Sequence, residues 1–95
     1  MQVEYIGLAK TGHMEAEAGV QLVRLAEFAR HIGDCRLAIA AIYDGLTHFA
    51  YEVRLHVVTR AGELIDVGNC MHSDFIEAMR GAFDLAVNEL SRWPG

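Results

Sequence analysis

The alternation of apolar and polar residues along the chain predicts four β-strands. It is clearest in residues 48–58, where every second residue is apolar and most of the others are polar. Such alternation is typical of an antiparallel sheet with one buried and one solvent-exposed face. The other strands are expected at residues 2–8, 36–43 and 63–68. Between them, residues 44–47 and 59–62 are expected to form the turns of two hairpins.

Two helices are predicted from apolar residues at spacings of three and four. The first begins near Met14 and continues to the end of an apolar stripe made of Ala18, Leu22, Leu25, Ala29 and Ile32. The second begins at Ser73 or Asp74, either of which can cap it, and ends before Pro94. Its stripe is the strongest helical signal in the chain and consists of Ile76, Met79, Phe83, Ala86, Leu90 and Trp93.

These elements predict an α+β fold, a two-layer sandwich in the order β-α-β-β-β-α. The first strand, helix and second strand form a βαβ unit, whose right-handed crossover makes the two strands parallel neighbours. Two hairpins then extend a four-stranded mixed sheet in the order 1-2-3-4, with both helices on one face. Because 95 residues supply enough apolar surface for one core, we expect a single domain over residues 1–95.

The composition is that of an ordinary globular protein, with 53% hydrophobic and 22% charged residues and one proline. No run of 18 uncharged apolar residues is present, and the first residues lack the basic and apolar segments of a signal peptide. We therefore expect a cytoplasmic protein with no membrane contact.

The cysteines, histidines and other potentially catalytic residues do not form a recognisable catalytic or metal-binding motif. Cys35 and Cys70 are expected to be reduced, because they fall at opposite ends of two strands that run in the same direction. The five histidines lack metal-ligand spacing, and no nucleophile elbow or phosphate-binding loop occurs. We expect no metal, no cofactor and no small-molecule substrate. An enzyme would need a deep pocket lined by histidine and carboxylate groups.

The formal net charge of −5 does not favour long-range attraction to nucleic acid. Double-stranded RNA-binding domains share a β-β-β-α segment but use lysines at the start of the last helix. Here that helix opens with Ser73-Asp74-Phe75-Ile76-Glu77, which has the opposite charge.

Several short segments nevertheless resemble a known family. They are Met1-Gln2-Val3-Glu4-Tyr5-Ile6-Gly7, Tyr51-Glu52-Val53-Arg54-Leu55-His56-Val57, Gly62-Glu63-Leu64, and Asp74 with Ala78 and Met79 in the last helix. Together with the order of elements, they are similar to the ribosome hibernation-promoting factors, also called ribosome-associated inhibitors or sigma-54 modulation proteins. The resemblance implies a translation-regulating stress-response factor that binds the small ribosomal subunit and its 16S rRNA in the channel for messenger and transfer RNA.

Family members contact rRNA phosphates through basic side chains on their helices and strand ends. The resemblance carries this role to seven residues of this chain, namely Arg24, Arg30, Arg36, Arg54, Arg60, Arg80 and Arg92. The chain departs from the family because its last helix exposes acidic as well as basic residues. These arginines also fit ordinary surface ion pairs along a helix or across strands.

A second hypothesis is a non-ribosomal interaction module that acts through its open sheet face or an edge strand, as a homodimer or with another protein. It is motivated by an apolar set on one sheet face, Ala38, Ala40, Ile42, Ala50 and Val58. The ribosomal hypothesis requires that the arginines gather on a shared surface.

Overall fold

The computed structural model describes residues 2–45 and 48–94 and shows a two-layer α+β sandwich. Its elements are β1 Gln2–Ile6, α1 Gly12–Val23, a short 3₁₀ helix Ala26–Phe28, β2 Ile32–Asp44, β3 His48–Thr59, β4 Leu64–His72 and α2 Phe75–Ser91. The sheet order is β1-β2-β3-β4, with β1 parallel to β2 and the other pairs antiparallel. The predicted fold class and strand order are confirmed.

Helix α1 is shorter than the sequence pattern predicts. The expected helix continues to Ile32, whereas α1 ends at Val23 and is followed by the 3₁₀ helix. The amide of Leu25 donates to the carbonyl of Leu22 at 3.0 Å, so the bonding changes here from i→i−4 to i→i−3. Leu25 still reaches the core, but Ala29 is exposed and Ile32 already belongs to β2. Apolar spacing alone does not distinguish a continuing helix from a tight turn.

Strand β4 continues to His72, beyond the predicted residues 63–68, and a bulge interrupts its alternation of apolar and polar residues. His56 pairs with Asp66, whereas the preceding Leu55 pairs with Gly68, which leaves Val67 as an extra residue. Val67 and Gly68 are both buried, so the apolar alternation breaks although the strand continues. The sequence pattern therefore ends where the register shifts.

The core lies between the helices and one face of the sheet. The sheet contributes side chains from its two central strands, and α2 contributes its predicted stripe. The largest fully buried side chains are Leu37, Ile39, Val53, Leu55, Val57, Met79, Phe83 and Leu90. Burying each such side chain stabilises the fold by about 1.5–3 kcal/mol. The sheet surface opposite the helices, which we call the open face, is covered by neither helix.

Asp74 caps α2, which decides between the two capping residues that the sequence predicts. Its Oδ1 accepts hydrogen bonds from the amides of Ile76 at 2.8 Å and Glu77 at 3.4 Å. Asp74→Ala is expected to lower the free energy of unfolding by about 1 kcal/mol, because these amides lose their acceptor. Urea denaturation measures this change. Ser73→Ala is the control, and an equal loss in that variant would contradict the assignment of the cap.

Candidate nucleic-acid interface

Two of the seven candidate arginines connect the helices. Arg24, at the end of α1, forms an ion pair with Asp84 of α2, with 2.7 Å between Nη2 and Oδ1. Arg80 of α2 lies near Glu17 of α1, with 3.9 Å between Nε and Oε1. Both charges are compensated by a carboxylate on the neighbouring helix. The helical layer therefore lacks the basic surface that the family resemblance implies.

Two further arginines pair with carboxylates on their own element. Arg54 Nε lies 3.0 Å from Glu52 Oε1 on the open face. Arg92 Nη2 lies 3.0 Å from Glu89 Oε2 near the end of α2. Exposed pairs of this kind contribute at most about 1 kcal/mol, so a phosphate could compete for either guanidinium only at the cost of that pair.

Arg30, Arg36 and Arg60 have no carboxylate partner within residues 2–45 and 48–94. Arg60 donates from Nε to the carbonyl of Arg30 at 3.1 Å and from Nη2 to the carbonyl of Ala29 at 2.9 Å. These bonds hold the hairpin between β3 and β4 against the segment that leads into β2. Because backbone carbonyls carry no net charge, Arg60 keeps its full positive charge while its position is restrained.

Three of the arginines lie at one end of the sandwich, which we call the arginine end and define by Arg30, Arg60 and Arg92. Ile32 at the start of β2 pairs with Thr59 at the end of β3, so the residues just outside these positions are neighbours. The last turn of α2 reaches the same end, because the ring of Trp93 lies 5.8 Å from that of His31.

The expectation that the seven arginines gather on one shared surface is therefore wrong, and three of them lie together at one end of the sandwich. Arg24 and Arg80 lie on the helical layer, Arg36 and Arg54 on the open face, and the other three at the arginine end. Two exposed carboxylates, those of Glu27 and Glu63, are close in sequence to Arg30 and Arg60. Because these negative charges offset the positive ones at a distance, an anion is attracted to this end only at short range.

The open face is mixed in charge rather than apolar. It carries the expected alanines, but also the carboxylates of Glu4 and Asp66 beside its arginines. A shallow hollow of about 520 Å³ lies over Ala38 and Ala40. The alternation in the first strand could have placed Glu4 on this face. The face on which Asp66 lies depends on how β4 pairs with β3. The pattern of the predicted fourth strand, residues 63–68, did not define that pairing.

Metal and thiol chemistry have no assembled site in the described part of the chain. No three His, Cys, Asp or Glu side chains among these residues lie close enough to hold a metal ion. Cys35 and Cys70 are free thiols, and burial together with the nearby Asp34 carboxylate raises the pKa of Cys35 above its ordinary value. The thiolate is thereby disfavoured at Cys35. The side chain of His48 lies outside the described residues.

No helix of the described residues combines the length and apolar character that crossing a bilayer requires. The fold and its surfaces define a two-layer α+β protein with an open sheet and an end at which three arginines lie together with three carboxylates.

Comparison with solved structures identifies a protein of the same fold. The chain is similar to a ribosomal subunit interface protein from Coxiella burnetii, with a TM-score of 0.73 over 97% of this chain and 96% of the other. The sequence identity is 14%, so the likeness is one of fold. The resemblance seen in the sequence is confirmed at that level. No family model and no curated protein sequence matches the chain.

Proposed function

We propose that this protein is a ribosome-associated factor that binds the small subunit through its 16S rRNA and suppresses translation. The observation that carries the proposal is the end-to-end likeness of its fold to a ribosomal subunit interface protein. The local sequence resemblance to hibernation factors supports the same function. The proposal includes a soluble, cytoplasmic protein with no catalytic role.

All seven arginines are candidates for rRNA contact. They differ in whether a carboxylate already compensates their charge and in where they lie. Arg30 and Arg60 have no carboxylate to release, and they lie together at the arginine end. A guanidinium can bind a phosphate through two parallel hydrogen bonds, which makes such unpaired arginines suitable for an RNA backbone. Arg36 is equally unpaired but lies on the open face. We propose Arg30 and Arg60 as the principal phosphate contacts.

The net charge sets the expected strength of this binding. A protein with a charge of −5 is repelled by rRNA at long range, so association depends on a few close contacts. Each phosphate contact contributes a slope of about −0.7 to −0.9 to the dependence of log K on log salt. We therefore expect binding that is moderate at low salt and lost at high salt.

Sedimentation of the purified protein with ribosomes through sucrose gradients tests the proposal. At low salt the protein is expected to migrate with the small subunit and not with the large subunit. At high salt it should remain at the top of the gradient, because counterions compete for the phosphates. Absence from the small-subunit fractions at low salt would contradict the proposed function.

A further inference from the structure

Large and small side chains are complementary across the two central strands of the open face. Three successive cross-strand pairs each join one alanine to a larger residue, namely Ala38 with Arg54, Ala40 with Glu52, and Ala50 with Ile42. Each pair therefore combines a short side chain on one strand with a longer side chain on the other. The hollow of about 520 Å³ is lined by both residues of the first two pairs.

We propose that the open face packs against the same face of a second copy of this chain, around a two-fold axis parallel to β2 and β3. This rotation places β2 of one copy over β3 of the other at the same level. Arg54 and Glu52 of the second copy then occupy the space over Ala38 and Ala40. Stacked sheets lie about 10 Å apart, a distance that such long side chains can span.

The same rotation also pairs opposite charges. Across the sheet, Gln2 pairs with Arg36, Arg36 with His56, and His56 with Asp66. In the dimer, Arg36 of one copy lies over His56 of the other and beside its Asp66. Arg36 has no carboxylate partner among the described residues of its own chain, and in the dimer Asp66 of the second copy becomes its partner.

A second ion pair follows one step further along the strands. Glu4 pairs with Ala38, which in the dimer lies under Arg54 of the second copy. The outer strands then place two exposed apolar side chains opposite each other, Ile6 at 48% and Met71 at 53% exposure. The face is therefore self-complementary in size, charge and polarity. A nucleic acid would instead meet the carboxylates of Glu4, Glu52 and Asp66, so a second copy fits this surface better.

The available area suits a reversible dimer. The strands contain 5, 13, 12 and 9 residues. With usual strand spacing and rise, the face measures about 19 Å by about 32 Å, or about 1,200 Å² for two copies. Specific interfaces begin near this size, so the dimer should dissociate on dilution.

Sedimentation equilibrium of the full chain, from micromolar to near-millimolar concentration, tests the proposal. The wild-type protein is expected to show a monomer–dimer equilibrium. Asp66→Arg should raise the dissociation constant about tenfold or more, because it places like charges together. The double variant R36D/D66R should restore dimerisation, since the pair re-forms with its charges exchanged. Glu27→Arg is the control, because it makes the same charge change on the helical side and should leave the constant unchanged.

Three results would overturn the proposal. The first is a wild-type protein that is monomeric at every concentration. The second is a dimer that neither Asp66→Arg nor Ala40→Glu weakens, because that dimer would use another surface. Failure of R36D/D66R to restore a dimer lost in Asp66→Arg would likewise refute the proposed pairing. These measurements contain no ribosomes, so their outcome is independent of the proposed function.

Discussion

Gly68→Ala is expected to lower the free energy of unfolding by about 3 kcal/mol, among the largest losses that one added methyl group can cause in this protein. Gly68 lies on β4 opposite Leu55, directly under α2. A Cβ atom at this position would overlap the backbone carbonyl of Ala82. Because this neighbour is helix backbone rather than a flexible side chain, α2 would have to move away from the sheet. Such a movement would loosen the packing of Met79 and Phe83.

Urea denaturation followed by circular dichroism measures this loss. Gly19→Ala provides the matched control, because Gly19 is an exposed residue of α1 and an added Cβ has no neighbour within 4 Å. That variant should be stabilised by about 0.5–1 kcal/mol, since alanine favours a helix over glycine. Equal midpoints for Gly68→Ala and the wild-type protein would contradict the close approach of α2 and β4.

Replacing Arg30 and Arg60 together by glutamine is expected to weaken the proposed binding to the small subunit at least about tenfold, because both are proposed to make charge-assisted contacts with rRNA phosphates. It should also reduce the slope of log K against log salt by about 1.4 to 1.8. Neither arginine has a carboxylate partner among the described residues, and the two carbonyls that Arg60 contacts hold its side chain beside the backbone of Arg30.

The double variant R24Q/R80Q is the matched control for this experiment. It removes the same number of positive charges, but from arginines that already pair with Asp84 and Glu17. Its binding should change by less than about threefold, because little free positive charge is lost. Thermal unfolding of both double variants would verify that they remain folded. An equal loss of binding in the two variants would contradict the special role of the arginine end.

The fold could be predicted from the sequence because its periodic signals are strong and agree with one another. The stripe of α2 and the alternation of β3 identify the two faces that form the core. The exceptions have local causes. Beyond Val23 the chain keeps an apolar spacing in a different helical geometry, and at Val67 a bulge interrupts the alternation of a continuing strand. Neither the change of helix type nor the bulge can be recognised from the residue types alone.

The candidate site was less predictable because charge pairing depends on distant residues. The sequence identifies seven arginines, but the partner of Arg24 is 60 positions away at Asp84. The hydrogen bond from Arg60 to the carbonyl of Arg30 forms only because the hairpin between β3 and β4 lies against the segment before β2. The complementarity of the open face likewise depends on strand register. The pairing of Ala38 with Arg54 cannot be read from either strand separately.

The most direct test of the central claim is a salt titration of binding between the fluorescently labelled wild-type protein and isolated small ribosomal subunits. Two phosphate contacts at the arginine end should give saturable binding at low salt and a slope of log K against log salt of about −1.4 to −1.8. Isolated large subunits should show no saturable binding. Absence of binding to small subunits at the lowest salt, or an affinity that salt leaves unchanged, would contradict ribosome association through rRNA phosphates.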